Sequence, residues 1–94
     1  NNYESMIIID PELSQEVAEK VNEKLISFLK ENQAEIIETK FWKKRKLAFE
    51  IDKKKEGYYF INNFKFLPEN VKKLDRYYKL SDKIFRHNIL VKEN

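Results

Sequence analysis

Trp42-Lys43-Lys44-Arg45-Lys46-Leu47-Ala48-Phe49-Glu50-Ile51 runs through Asp52-Lys53-Lys54-Lys55-Glu56-Gly57 into Tyr58-Tyr59-Phe60-Ile61-Asn62-Asn63-Phe64-Lys65-Phe66. Two alternating segments joined by a short polar stretch read as consecutive strands. In the first, Leu47, Phe49 and Ile51 share one parity, and Trp42, Lys44, Lys46, Ala48 and Glu50 share the other. In the second, Phe60, Phe64 and Phe66 face one way, and Tyr59, Ile61, Asn63 and Lys65 the other. Gly57 is the only glycine, and a turn that needs positive φ is its expected position.

Working outward, the N-terminal side supplies a strand and then a helix. Residues 3–10 contain Met6-Ile7-Ile8-Ile9, a β-branched run typical of a central strand, closed by Asp10-Pro11. Residues 14–31 read as a helix with Ser14 as N-cap and a stripe of Val17, Val21, Leu25, Phe28 and Leu29. On the C-terminal side, Pro68 opens a second helix in which Val71, Leu74 and Tyr78 recur at helical spacing to about Lys79. Ser81-Asp82-Lys83 then turns the chain into a strand over 85–92, with His87, Ile89 and Val91 on one face and Asn88, Leu90 and Lys92 on the other.

The order is β-α-β-β-α-β, so the expected fold is α+β and ferredoxin-like, a single domain over residues 1–94. Right-handed crossovers give a four-stranded antiparallel sheet of order 4-1-3-2 with both helices on one face. The second strand falls at an edge, and the other sheet face is left open. By parity that face carries Met6, Ile8, Tyr59, Ile61, Asn63, Leu90, Lys92, Lys44 and Lys46. A partly apolar face with a basic border is the kind of surface a partner occupies.

Lys43, Lys44, Arg45 and Lys46 beside Trp42 and Phe49 suit a folded polyanion, with RNA the obvious candidate. Lysines also guard exposed sheet edges against aggregation, and the two roles are compatible. Charge is unevenly distributed. Residues 1–38 hold nine acids against three lysines, a net of −6. Residues 39–94 hold sixteen cations against seven acids, a net of +9, and the chain totals +3. Such a split orients docking on a polyanion.

The ninety-four residues suffice for one domain whose core buries about 60–65% of the unfolded surface. The absence of cysteine excludes disulfides and thiol chemistry and fits a reducing cytoplasm. No apolar run approaches the roughly 18–20 residues of a membrane span, and Asn1-Asn2-Tyr3-Glu4 lacks signal-peptide character.

Enzyme chemistry finds little support. His87 is the only histidine and is expected to face the helices as a partly buried structural residue. No His/Cys cluster has metal spacing, no serine has a histidine near it in sequence, and one glycine cannot build a phosphate cradle. The expected catalytic, metal and cofactor sites are therefore none, with no small-molecule substrate.

The chain resembles the bacterial small-subunit ribosomal protein six family. The resemblance rests on Arg45-Lys46-Leu47-Ala48-Phe49-Glu50-Ile51 and on Tyr3-Glu4 opening the first strand. It also rests on Gly57-Tyr58-Tyr59 opening the third strand, and on Arg86-His87 followed by Ile89-Leu90-Val91-Lys92. It departs from the family at Glu50, where proline is usual, and at Asn1 and Asn2, where many members are basic. The resemblance implies a structural ribosomal component that pairs with small-subunit ribosomal protein eighteen. Together they would bind the central domain of small-subunit ribosomal RNA at the platform, in the cytoplasm. The expected RNA contacts are Lys43, Lys44, Arg45, Lys46, Arg86 and Lys92. The expected protein-partner contacts are Met6, Ile8, Tyr59 and Leu90. The alternative is a dimeric ligand-sensing regulatory module of the same fold. The lysines of the second strand oppose it, because like charges would meet across a symmetric edge.

Overall fold

The computed structural model describes residues 1–51 and 54–92, with the backbone alone described over 43–51 and 54–56. The chain forms β1 (Asn2–Ile9), α1 (Gln15–Glu31), β2 (Glu35–Ile51) and β3 (Lys54–Lys65). A single 3-10 turn at Pro68–Asn70 then leads into α2 (Val71–Leu80) and β4 (Ile84–Lys92). Every strand pair is antiparallel and the sheet order is β2-β3-β1-β4, the expected 4-1-3-2 read from its other edge.

Strand alternation sorts the two faces. Tyr3, Ile7 and Ile9 of β1 and Tyr58, Phe60 and Phe64 of β3 point to the helices. They meet Ala18, Leu25 and Leu29 of α1 and Leu74 and Tyr78 of α2 in one buried cluster. Each large apolar side chain removed from water here contributes about 1.5–3 kcal/mol. Phe41 of β2 extends the cluster by stacking on Phe60, with ring centroids 4.6 Å apart.

The helix ends follow local chemistry. Ser14 Oγ accepts the Val17 N–H at 3.2 Å, so the N-cap is as expected. At the other end the Ala34 N–H reaches the Leu29 carbonyl at 2.9 Å and the Gln33 N–H reaches that of Lys30 at 3.1 Å. This is the paired closure of a Schellman motif, and it puts Gln33 at φ 65°, the left-handed position that glycine usually takes.

Two sequence expectations change. Gly57 does not lie in the hairpin turn; β3 starts at Lys54, and no described glycine has positive φ. Its place is decided by crowding, since a β-carbon there would stand 2.5 Å from Ile8 Cγ2. The buried stripe of α1 is Ala18, Asn22, Leu25 and Leu29, rotated away from Val17, which is 37% exposed. Asn22 belongs inside because Asn62, directly opposite Ser5 in the sheet, donates to its Oδ1 at 2.9 Å and accepts from Thr39 Oγ1 at 2.8 Å. Ser5 in turn is hydrogen-bonded to the buried Tyr78 hydroxyl. Polar residues thus occupy core positions in matched pairs, as burial requires.

Candidate nucleic-acid and partner interface

The face away from the helices is built by the opposite parity of every strand. Asn2, Glu4, Met6 and Ile8 of β1 lie opposite Lys65, Asn63, Ile61 and Tyr59 of β3. On the other side they lie opposite Lys92, Leu90, Asn88 and Arg86 of β4. From β2, Glu38, Lys40 and Trp42 stand opposite Asn63, Ile61 and Tyr59. Neither helix covers this surface.

Its centre is apolar and aromatic. Trp42 and Tyr59 face each other with centroids 6.3 Å apart at 37°, and Trp42 keeps 40% of its surface exposed. Leu90 is 52% exposed on β4. Met6, Tyr59 and Ile61 are half-buried between them. Ile8 differs from the other expected partner contacts. At 3% exposure it is wedged against Gly57 and supports the patch from below, offering almost no surface of its own.

Cations border the patch. Arg86 and Lys92 of β4 are exposed on the open face, as their parity implied. Lys92 Nζ lies 3.6 Å from Glu4 Oε2, an open pair that competes only weakly with a phosphate. Lys40, which the sequence reading did not single out, joins the face from β2 with its Nζ 3.9 Å from Glu38 Oε1. Strand parity alone would have found it. A shallow cavity of about 370 Å³ lies among Asn2, Glu4, Glu38, Lys40, Asn63 and Lys92. Asn63 Oδ1 is buried with no hydrogen-bond partner among the described residues.

The side chains of Lys43, Lys44, Arg45 and Lys46 lie outside the described residues, as do those of Leu47, Phe49 and Ile51. The backbone does carry a correction. Trp42 pairs with Tyr59, but Arg45, not Lys44, pairs with Gly57, so the register shifts between 42 and 45. A β-bulge adds a residue to one strand and breaks its alternation. The parity argument that gave Lys44 and Lys46 to the open face therefore does not carry across the break.

No metal-binding group of three His, Cys, Asp or Glu occurs among the described residues. No described helix is long and apolar enough to cross a membrane. His87 packs on Tyr78 at 4.8 Å with its Nε2 3.2 Å from Asp75 Oδ1, the structural placement expected for it. Asp75 also accepts from Lys79 at 2.9 Å, and Lys79 first and His87 second hold its carboxyl below the usual carboxylate range.

These features define the chain as a two-layer ferredoxin-like domain with a bare, partly aromatic sheet face bordered by cations. Comparison with known proteins narrows the class. The family model described as Ribosomal protein S6 matches residues 2–91. A small ribosomal subunit protein bS6 of Desulforamulus reducens is 44% identical over 89 residues, covering 95% of this chain and 94% of the relative. One from Clostridium perfringens is 41% identical over 91 residues, covering 97% and 95%. The crystal structure of 30S ribosomal protein S6 from Thermotoga maritima superposes with a TM-score of 0.90 at 30% identity, covering 95% of this chain and 84% of that one. The chain belongs to the ribosomal protein S6 family, whose members are structural components of the small ribosomal subunit, cytoplasmic in bacteria.

Proposed function

We propose that this protein binds small-subunit ribosomal RNA jointly with small-subunit ribosomal protein eighteen, as a structural and non-catalytic component of the platform. The carrying observation is the uncovered sheet face, on which an apolar stripe runs from the exposed Trp42 on β2 through the half-buried Tyr59, Ile61 and Met6 to the exposed Leu90 on β4, with Lys40, Arg86 and Lys92 on the edge strands. The centre suits a protein partner, because apolar area contributes most where a partner excludes water from it. The border suits phosphates, because cations on a rigid strand add affinity without ordering a loop. Met6, Tyr59 and Leu90 are assigned to the protein partner, with Ile8 beneath them. Arg86, Lys92 and the run Lys43, Lys44, Arg45 and Lys46 are assigned to RNA.

The partner assignment is tested by titration calorimetry of the protein eighteen complex with Leu90→Glu and Met6→Glu variants. An interface-centre residue of this kind contributes more than about 1 kcal/mol, so each variant is expected to weaken the heterodimer about tenfold or more. Unchanged affinity in both variants would remove the open face from the interface. Light scattering of the protein alone separates this reading from a dimeric sensing module, which requires a stable homodimer.

A further inference from the structure

On the helix side, opposite the surface just described, α1 and α2 leave a groove of about 300 Å³. Its α1 wall is formed by Val17, Lys20, Val21 and Lys24, whose spacing of three and four puts them on one helical face. Its other wall is Tyr77 of α2 with Ser81 and Lys83 of the following turn. Tyr77 is held in place by Phe28, with the rings stacked 4.5 Å apart.

The polar lining can donate throughout. Lys20, Lys24 and Lys83 bring three ammonium groups, and among the described residues no carboxylate lines the groove. The Tyr77 hydroxyl has no hydrogen-bond partner among the described residues. Ser81 Oγ accepts the Lys83 N–H at 3.4 Å, which leaves its own hydrogen free to donate. Lys20 and Lys83 have neighbours in Glu16 at 3.9 Å and Asp82 at 3.7 Å. Those carboxylates are 83% and 93% exposed, so the pairs are weak and readily exchanged. Beneath the donors the floor is apolar, with Val17 exposed at the surface despite its place in the hydrophobic repeat of α1.

We infer that this groove is a docking site for an acidic peptide segment of another protein, with one large apolar side chain on Val17 and Val21 and flanking carboxylates on Lys20, Lys24 and Lys83. Charge complementarity selects that occupant. Three ammonium groups with no carboxylate among the described lining favour a ligand that carries anionic acceptors, and the exposed Val17 beside Val21 favours an apolar anchor between them. The volume lies at the low end for ligand pockets, about 300 Å³, and suits a single side chain. A nucleic acid fits less well, since its row of phosphates brings acceptors but no large aliphatic or aromatic side chain to set against Val17 and Val21. The site is independent of the RNA-binding face and stands or falls apart from it.

The test is a chemical-shift titration of the isotopically labelled full chain with the peptide acetyl-Asp-Glu-Leu-Phe-Glu-Glu-amide. Saturable shifts are expected at the amides of Val17, Val21, Lys24, Tyr77 and Ser81, weakening as salt is raised. Lys20→Glu/Lys24→Glu, both exposed and expected to leave the circular-dichroism spectrum unchanged, should weaken binding about tenfold, as loss of two exposed ion pairs implies. A peptide with Leu-Phe replaced by Ser-Ser should not saturate. Absence of shifts at millimolar peptide, equal binding of the Ser-Ser peptide, unchanged binding by the double variant, or displacement of the peptide by an RNA oligonucleotide at these same amides would each overturn the inference.

Discussion

Gly57 is pressed against Ile8. A β-carbon at position 57 would lie 2.5 Å from Ile8 Cγ2 and 3.2 Å from the Ile9 carbonyl oxygen. The contact lets β3 approach β1 closely under the end of the open face. Gly57→Ala should therefore destabilise the fold by about 1–3 kcal/mol, the usual cost of overpacking. The same substitution made in an Ile8→Ala background should cost less, because the clashing methyl is gone. Urea unfolding of the four proteins of this cycle measures it, and strict additivity would show that crowding is not the reason for glycine here.

This position also marks where sequence reading stops. Element order and sheet order were legible, because two alternating strands between two amphipathic helices leave few topologies. The open face was legible by parity across β1, β3 and β4, which keep strict alternation through the site. What failed was the pairing of distant residues. Gly57 looked like a turn residue because its neighbour Ile8 is 49 positions away. Asn22 and Asn62 were not singled out as core residues, since each is tolerable there only because of the other. The register shift between Trp42 and Arg45 leaves no mark in a uniformly polar, cationic run, so the faces of Lys44 and Lys46 could not be derived.

Asn62 joins β3 to both α1 and β2 through Asn22 and Thr39. Asn62→Ala should cost about 1–3 kcal/mol by leaving the buried Asn22 amide unpaired. Asn22→Ala/Asn62→Ala should lose less than the sum of the single variants. A chemical denaturation midpoint that barely moves for Asn62→Ala would remove the network from the account of the core.

Gln33 holds a left-handed conformation at φ 65° that costs an ordinary residue about 1–2 kcal/mol. Glycine at this position keeps both closing hydrogen bonds of α1 without that cost. Gln33→Gly should raise the melting temperature and add up to about 1 kcal/mol, part of the gain being offset by glycine's larger unfolded-state entropy. A lower melting temperature would contradict the assignment of the helix end.

Burial pushes the Tyr78 phenol well above its ordinary value, and Tyr77 moves the same way for the same reason. A raised folded-state value means that the stabilisation is complete below the unfolded value near 10 and is lost as pH rises beyond it. The protein should begin to lose stability above about pH 10, and Tyr78→Phe should flatten that loss while costing about 1–3 kcal/mol at neutral pH through the orphaned Ser5 hydroxyl. Asp75 has the opposite sign. Its lowered carboxyl contributes above the usual carboxylate range and ceases to contribute as acid protonates it, so Asp75→Asn should flatten the acid limb. Thermal melts across pH for both variants check the two limbs separately.

The most direct test of the central claim is the salt dependence of affinity for small-subunit ribosomal RNA, measured with protein eighteen present. If four to six phosphates are neutralised, the log–log slope should be about −3 to −5. Replacing Lys44, Arg45 and Lys46 together with alanine should weaken binding and make the slope shallower by about 2–3, since each phosphate left without its cation removes roughly one unit. Affinity and slope both unchanged in the triple variant would contradict RNA recognition by the basic edge of this sheet.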